Sequence, residues 1–120
     1  MSAADLARDL FAGLGDIRIK RLFGGAGIYA GEVMFALIAD DVIHVKADAD
    51  LAAALEAEGS GPFVWIAPAG PKARRPIAMS YWRLPEAALD DIDQALDWGR
   101  RALAIARAGA KPKRPRLKRP

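Results

Sequence analysis

Apolar side chains recur at two different periods along this chain, and the changes of period divide it into elements. The first spacing is helical. Leu6, Leu10, Phe11 and Leu14 fall three or four residues apart, and Ser2 is a ready N-cap with Asp5 in the first turn. Gly13 and Gly15 supply the stop, which predicts a first helix over 3–13. The period then drops to two. Ile17 and Ile19 alternate with Arg18 and Lys20 up to Arg21-Leu22-Phe23, the pattern of a half-buried strand. Gly24-Gly25-Ala26-Gly27 is expected to break this strand, with Ile28-Tyr29-Ala30 resuming as a short one before a Gly31-Glu32 turn. The run VMFALIA at 33–39 is apolar throughout, so it belongs at the centre of a sheet, covered on both faces. Asp40-Asp41 then turns the chain into Val42-Ile43-His44-Val45-Lys46. Such two-residue polar turns indicate hairpins, and hence an antiparallel meander rather than a parallel nucleotide-binding sheet.

The second half returns to helical spacing. Asp48 can cap a helix carrying Leu51, Ala54 and Leu55, which Gly59 ends. A fifth strand is predicted at 62–66 and a sixth at 77–84, joined by an exposed loop rich in proline, glycine and basic residues. Pro85 begins a short turn. Asp90 or Asp91 then caps a long final helix that directs Ile92, Leu96, Trp98 or Gly99, Leu103 and Ala106 inward. Arg100, Arg101 and Arg107 sit in its later turns, where cations suit the helix dipole. The order predicts an α+β fold: an antiparallel sheet of five to six strands flanked by helices.

Charge changes this picture only when it is divided along the chain. The sequence carries 18 basic and 15 acidic side chains, a net of +3. Six of the basic ones (Lys111, Lys113, Arg114, Arg116, Lys118, Arg119) lie after residue 107, where there is no acid. Residues 1–107 therefore form a mildly acidic folded domain, and 108–120 a basic, proline-rich tail expected to be disordered. The high isoelectric point belongs to the tail. No apolar run approaches the roughly 18 residues that a membrane helix needs, and no membrane contact is expected. The first ten residues mix acids and bases with apolar residues, unlike a signal peptide. Cysteine is absent, which excludes disulfides and thiolate metal sites and suits a reducing cytoplasm, the expected location.

The inventory for catalysis is thin. There are three serines, one glutamine and one histidine, and no threonine or asparagine. His44 has no second histidine or cysteine to share a metal with, so no metal site or cofactor is expected, and its place in the strand pattern reads as the solvent edge. No serine lies in a G-x-S-x-G elbow. Asp40-Asp41 and Asp90-Asp91 are explained by turns and capping. The glycine cluster lacks the third glycine of a dinucleotide fingerprint and does not open a helix, so it reads as a bulge or a place of close packing. In IAMSYWRL at 77–84, large apolar groups point to both faces, so a helix or another subunit must cover the second one. A homodimer through the sheet would do so.

Several segments together resemble the TfoX/Sxy N-terminal domain. They are Arg21-Leu22-Phe23-Gly24-Gly25-Ala26-Gly27-Ile28-Tyr29, Val33–Ile38, Val45-Lys46, Pro76–Pro85 with its Met79-Ser80-Tyr81 core, and Trp98–Ala102. The likeness covers roughly residues 5–107. It implies a secretion-chaperone-like α+β fold, often dimeric, and a link to the regulation of natural competence. It brings no catalytic residues with it, so Arg21, Phe23, Gly24, Gly25, Gly27, Met79, Ser80 and Tyr81 are expected to be structural. The resemblance implies a second, helical C-terminal domain in full-length relatives, and the basic tail is expected to stand in its place here. The expected function is therefore a non-enzymatic regulatory domain in transcriptional regulation, docking a regulator or the transcription machinery. One alternative is a nucleic-acid accessory protein, using the six tail cations with Arg74 and Arg75 for weak, non-specific contacts. A second is a small enzyme with a cleft near Gly24–Gly27 or the 67–76 loop.

Overall fold

The computed structural model describes residues 2–22, 24–66 and 76–109, and of residues 65, 66 and 76–79 the backbone alone. Helix α1 (Ala3–Leu10) starts where Ser2 Oγ accepts from the Asp5 amide at 3.2 Å. It ends three residues earlier than its apolar spacing predicts. Phe11 instead leads into a 3₁₀ turn, Ala12–Leu14, which seats Gly13 against the Leu96 methyl groups, where a Cβ would come within 2.9 Å. Four strands follow: β1 (Ile17–Leu22), β2 (Gly25–Ala30), β3 (Val33–Ala39) and β4 (Val42–Lys46). Helix α2 (Ala49–Ala57) then crosses to β5 (Pro62–Ile66), and β6 (Pro76–Arg83) returns between β5 and β4. A 3₁₀ turn (Glu86–Asp90) and helix α3 (Ile92–Gly109) close the described chain.

These elements make an α+β fold on one antiparallel sheet of six strands, in the order β1-β2-β3-β4-β6-β5. The apolar run of β3 lies inside it, as its composition requires. Asp40 and Asp41 take φ of 52° and 62°, the left-handed pair that a two-residue β3–β4 hairpin needs to match the strands' twist. The glycine segment differs from its predicted role as a break, because β2 already begins at Gly25. Only Gly24, at φ +81°, lies in the turn.

The core lies on one face of the sheet. Ile28, Ala36, Ile38, Ile43 and Val45 form one buried cluster with Ala7 and Leu10 of α1, Leu51 and Leu55 of α2, and Trp98 and Leu103 of α3. The β2–β3 register slips between Ile28 and Tyr29, whose partners are Ala36 and Met34, and leaves Phe35 unpaired. This bulge turns Phe35 into the core beside Ala36, where its ring meets Phe11 edge-on at 5.3 Å and 75°. Gly99 brings α3 down onto that pair: a Cβ there would lie 2.9 Å from two Phe11 ring carbons. Ile92 was expected inward but is 49% exposed, since the buried stripe of α3 starts one turn later, at Ala95. The helix runs through Ala108 to Gly109, into the first residues assigned to the tail.

Helix α2 tests how much a single cap matters. Asp48 accepts from the Leu51 amide at 2.9 Å. Asp48→Ala should cost about 1 kcal/mol and lower the melting temperature by about 4 °C. Asp48→Asn, which keeps an acceptor oxygen, should lose only a fraction of that, and an equal loss in both variants would assign the effect to charge rather than to the cap.

Candidate interaction surface

The sheet has a second face, and its residues follow from the pairing. Leu37 pairs with His44, His44 with Arg83 and Lys46 with Tyr81, so these side chains share the side away from the helices. On β1 and β2 the same side holds Arg18 and Lys20, which pair with Tyr29 and Gly27. Leu37 and Tyr81 are buried, yet neither belongs to the core cluster under the helices. Tyr29, Met34 and Phe63 are half-buried and also stand outside it.

Acids are kept out of the sheet. All 15 acidic residues lie outside the six strands, in helices, caps and turns, whereas the strands contain Arg18, Lys20, Arg21, Lys46 and Arg83. Two of these cations sit on rings. Lys20 Nζ lies 5.1 Å from the Tyr29 centroid, and Lys46 Nζ lies 5.1 Å from that of Tyr81. Lys46 also donates to Ser80 Oγ at 2.8 Å. The Arg18 guanidinium donates to the Gly31 carbonyl at 2.9 Å, and that of Arg83 to the Gly59 carbonyl at 3.1 Å. Gly27 lets the face close down. A Cβ there would lie 2.6 Å from Met34 Sδ, 2.9 Å from a Leu22 methyl and 3.0 Å from the Tyr29 ring.

His44 lies within this face and is only 6% exposed, so the expectation of a solvent-edge histidine is corrected. The Phe63 ring of β5 packs on it at 5.2 Å, and its Nδ1 donates to the Val42 carbonyl at 3.0 Å. Burial lowers its pKa below 6.5, the Val42 hydrogen bond opposes this, Arg83 adds to the lowering and Asp40 opposes it. Because the folded pKa is the lower one, the unfolded chain takes up the proton first. Stability is then complete above about pH 6.5 and falls as the pH drops below it. Thermal melts between pH 7 and pH 5 should show this loss, and His44→Gln should flatten it. An unchanged slope in that variant would move the effect to other groups. Burial, followed by the nearness of Tyr29, raises the pKa of the Tyr81 hydroxyl above 10.

Among the described residues, two hollows lie elsewhere. One, of about 410 Å³, runs between the start of α1, the start of β4 and the second 3₁₀ turn. Its wall includes Leu6, Val42 and Leu89, and the last two are each 36% exposed. The other, of about 370 Å³, is lined by Glu58, Asp91, Asp93, Asp97, Gln94 and Trp98. Among the described residues, no three His, Cys, Asp or Glu side chains gather where they could hold a metal ion. No helix among them is long and apolar enough to cross a membrane.

The structure distributes the residues singled out in the sequence unevenly. Arg21 is exposed on β1, Gly24 forms the turn, and Gly25 and Gly27 lie in β2. Ser80 and Tyr81 meet Lys46. Phe23, Arg74, Arg75 and Lys111, Lys113, Arg114, Arg116, Lys118 and Arg119 fall outside the described residues, as does the Met79 side chain. The sequence reading missed Lys20, Tyr29, Lys46 and Phe63 as one group. Each carries the right alternation within its strand, but the strand order that assembles them is not written in any one segment.

The sequence that builds this sheet matches a known family. The model of the TfoX N-terminal domain matches residues 9–106. The chain belongs to that family. A TfoX N-terminal domain here takes in all six strands, α2, the last two residues of α1 and α3 as far as Ala106, so both sheet faces lie within the match. Among curated proteins, none matches the chain.

Proposed function

We propose that this TfoX N-terminal domain is a non-enzymatic regulatory module that acts in transcriptional regulation in the cytoplasm by docking a protein partner. The observation that carries this reading is the apolar hollow at one end of the sheet. Leu6, Val42 and Leu89 leave hydrophobic surface open beside Asp41, Arg83 and Glu86, an apolar centre with a mixed polar rim. A regulator or a component of the transcription machinery would bury these residues, and a second copy of the chain would be a further partner.

Affinity capture from a native lysate should recover a transcription-related protein with the parent chain and lose it with Leu89→Glu. Recovery that is equal with both chains would remove the hollow from the reading. A clean monomer by sedimentation at high concentration would remove the homodimer.

A further inference from the structure

We propose that the sheet face opposite the helices binds single-stranded nucleic acid, with Lys20 and Lys46 taking backbone phosphates and the rings of Tyr29 and Phe63 stacking on unpaired bases. This reading uses a different surface from the apolar hollow and does not depend on it.

Three observations lead to it. The first is sign. The body of the chain is acidic, yet no acid lies in any strand, and Arg18, Lys20 and Lys46 share this face. A second copy meeting the same face would set these cations against themselves, because a two-fold contact places identical patches opposite each other. The occupant is therefore an anion.

The second is the repetition of ring and cation. Lys20 over Tyr29 and Lys46 over Tyr81 repeat one arrangement from β2 to β6, at 5.1 Å in each case. An acidic peptide offers carboxylates to the lysines and nothing to the rings. A nucleic-acid strand alternates phosphate and base, so it uses both. Tyr29 and Phe63 are half-buried and present ring surface, whereas Tyr81 is buried and supports Lys46 from below.

The third is shape. Six strands at about 4.8 Å spacing give a face about 24 Å across, which is the span of a few nucleotides. All three described helices contribute to the core on the other side, so none of them stands on this face as a reading element for a duplex groove. Rings set on a broad sheet surface are reached by bases that are already unpaired.

The test is a titration of the full, isotopically labelled chain with a thymidine oligonucleotide of about eight residues, followed by amide NMR. The expected shifts centre on Lys20, Tyr29, Lys46 and Phe63. The basic tail also attracts phosphate, so the variants are made in the full chain and compared across salt. Lys20→Ala with Lys46→Ala should weaken binding about tenfold and reduce the log–log salt slope by about 1.4, the share of two single-strand phosphates. Tyr29→Leu removes the ring but keeps a large apolar side chain, and it should weaken binding about fivefold or more without changing that slope. Lys20 is exposed, so Lys20→Ala alone keeps the test valid if another variant fails to fold. Shifts confined to residues 110–120 would overturn the proposal. So would an unchanged salt slope in the lysine variant, tighter binding of a duplex of equal length, or equal binding of a poly-glutamate peptide.

Discussion

Phe11→Ala is expected to lower the free energy of unfolding by about 3–5 kcal/mol, a large part of the 5–15 kcal/mol typical of a domain. The Phe11 ring is fully buried, and three parts of the fold converge on it. The β3 bulge delivers Phe35 to it edge-on, Gly99 lets α3 approach it, and the 3₁₀ turn that follows Phe11 brings Leu14 against the same Gly99. None of these can move in to fill the gap without leaving its own partners, so the cavity term adds to the lost burial. Urea titration should show the midpoint falling at constant slope. A loss below about 1 kcal/mol would mean that the site collapses freely and is not held as described. Gly99→Ala probes the same contact from the other side. Helix propensity favours alanine by about 1 kcal/mol, but the new methyl overlaps the ring, and overpacking costs about 1–3 kcal/mol. The overlap should win in the parent chain and shrink in a Phe11→Leu background.

Gly25→Ala should be nearly as damaging, by about 3 kcal/mol, for a different reason. A Cβ at Gly25 would run into the Ile38 carbonyl oxygen, which is backbone in the neighbouring strand. A side chain can rotate away from such a clash. A strand carbonyl moves only by breaking the ladder, so the far end of the β2–β3 pair, where Ala26 faces Ile38, should open. Hydrogen exchange at Ala26 and Ile38 should accelerate well beyond that at the β3–β4 pair. Uniform acceleration across the sheet would show that the substitution acts globally. Gly24 lies one residue away with open space around it but φ +81°, so Gly24→Ala is strained by conformation and not by contact.

These two glycines show where the sequence could be read and where it could not. Local rules were enough for the Asp48 cap, the Asp40-Asp41 hairpin, the central place of β3 and the α+β class, because each is decided within a few residues. The glycine segment misled as a break, since close packing and turning both select glycine, and only the neighbouring strand tells them apart. His44 was misplaced for a related reason. Alternation correctly put it opposite Ile43 and Val45, but the ring that buries it comes from Phe63, two strands away in the sheet. The lysine–tyrosine pairs were hidden in the same way: Lys20 and Tyr29 belong to different strands, as do Lys46 and Tyr81. Likeness to the TfoX N-terminal domain could be read from motifs alone, and it said nothing of which face those motifs build.

The strand order also bears on how this protein avoids clumping. The segment VMFALIA has seven residues with no charge and no proline, the composition that favours cross-β stacking between chains. It is enclosed by β1 and β2 on one side and by β4, β6 and β5 on the other, so it offers no edge while the sheet is intact. The margin at β1 carries Arg18, Lys20 and Arg21 within six residues, and incoming strands are repelled there. Glu32 and the Asp40-Asp41 pair flank the dangerous run and act as gatekeepers while the chain is still unfolded. The hairpin turns that set the register of β3 thus also protect it before the sheet has formed.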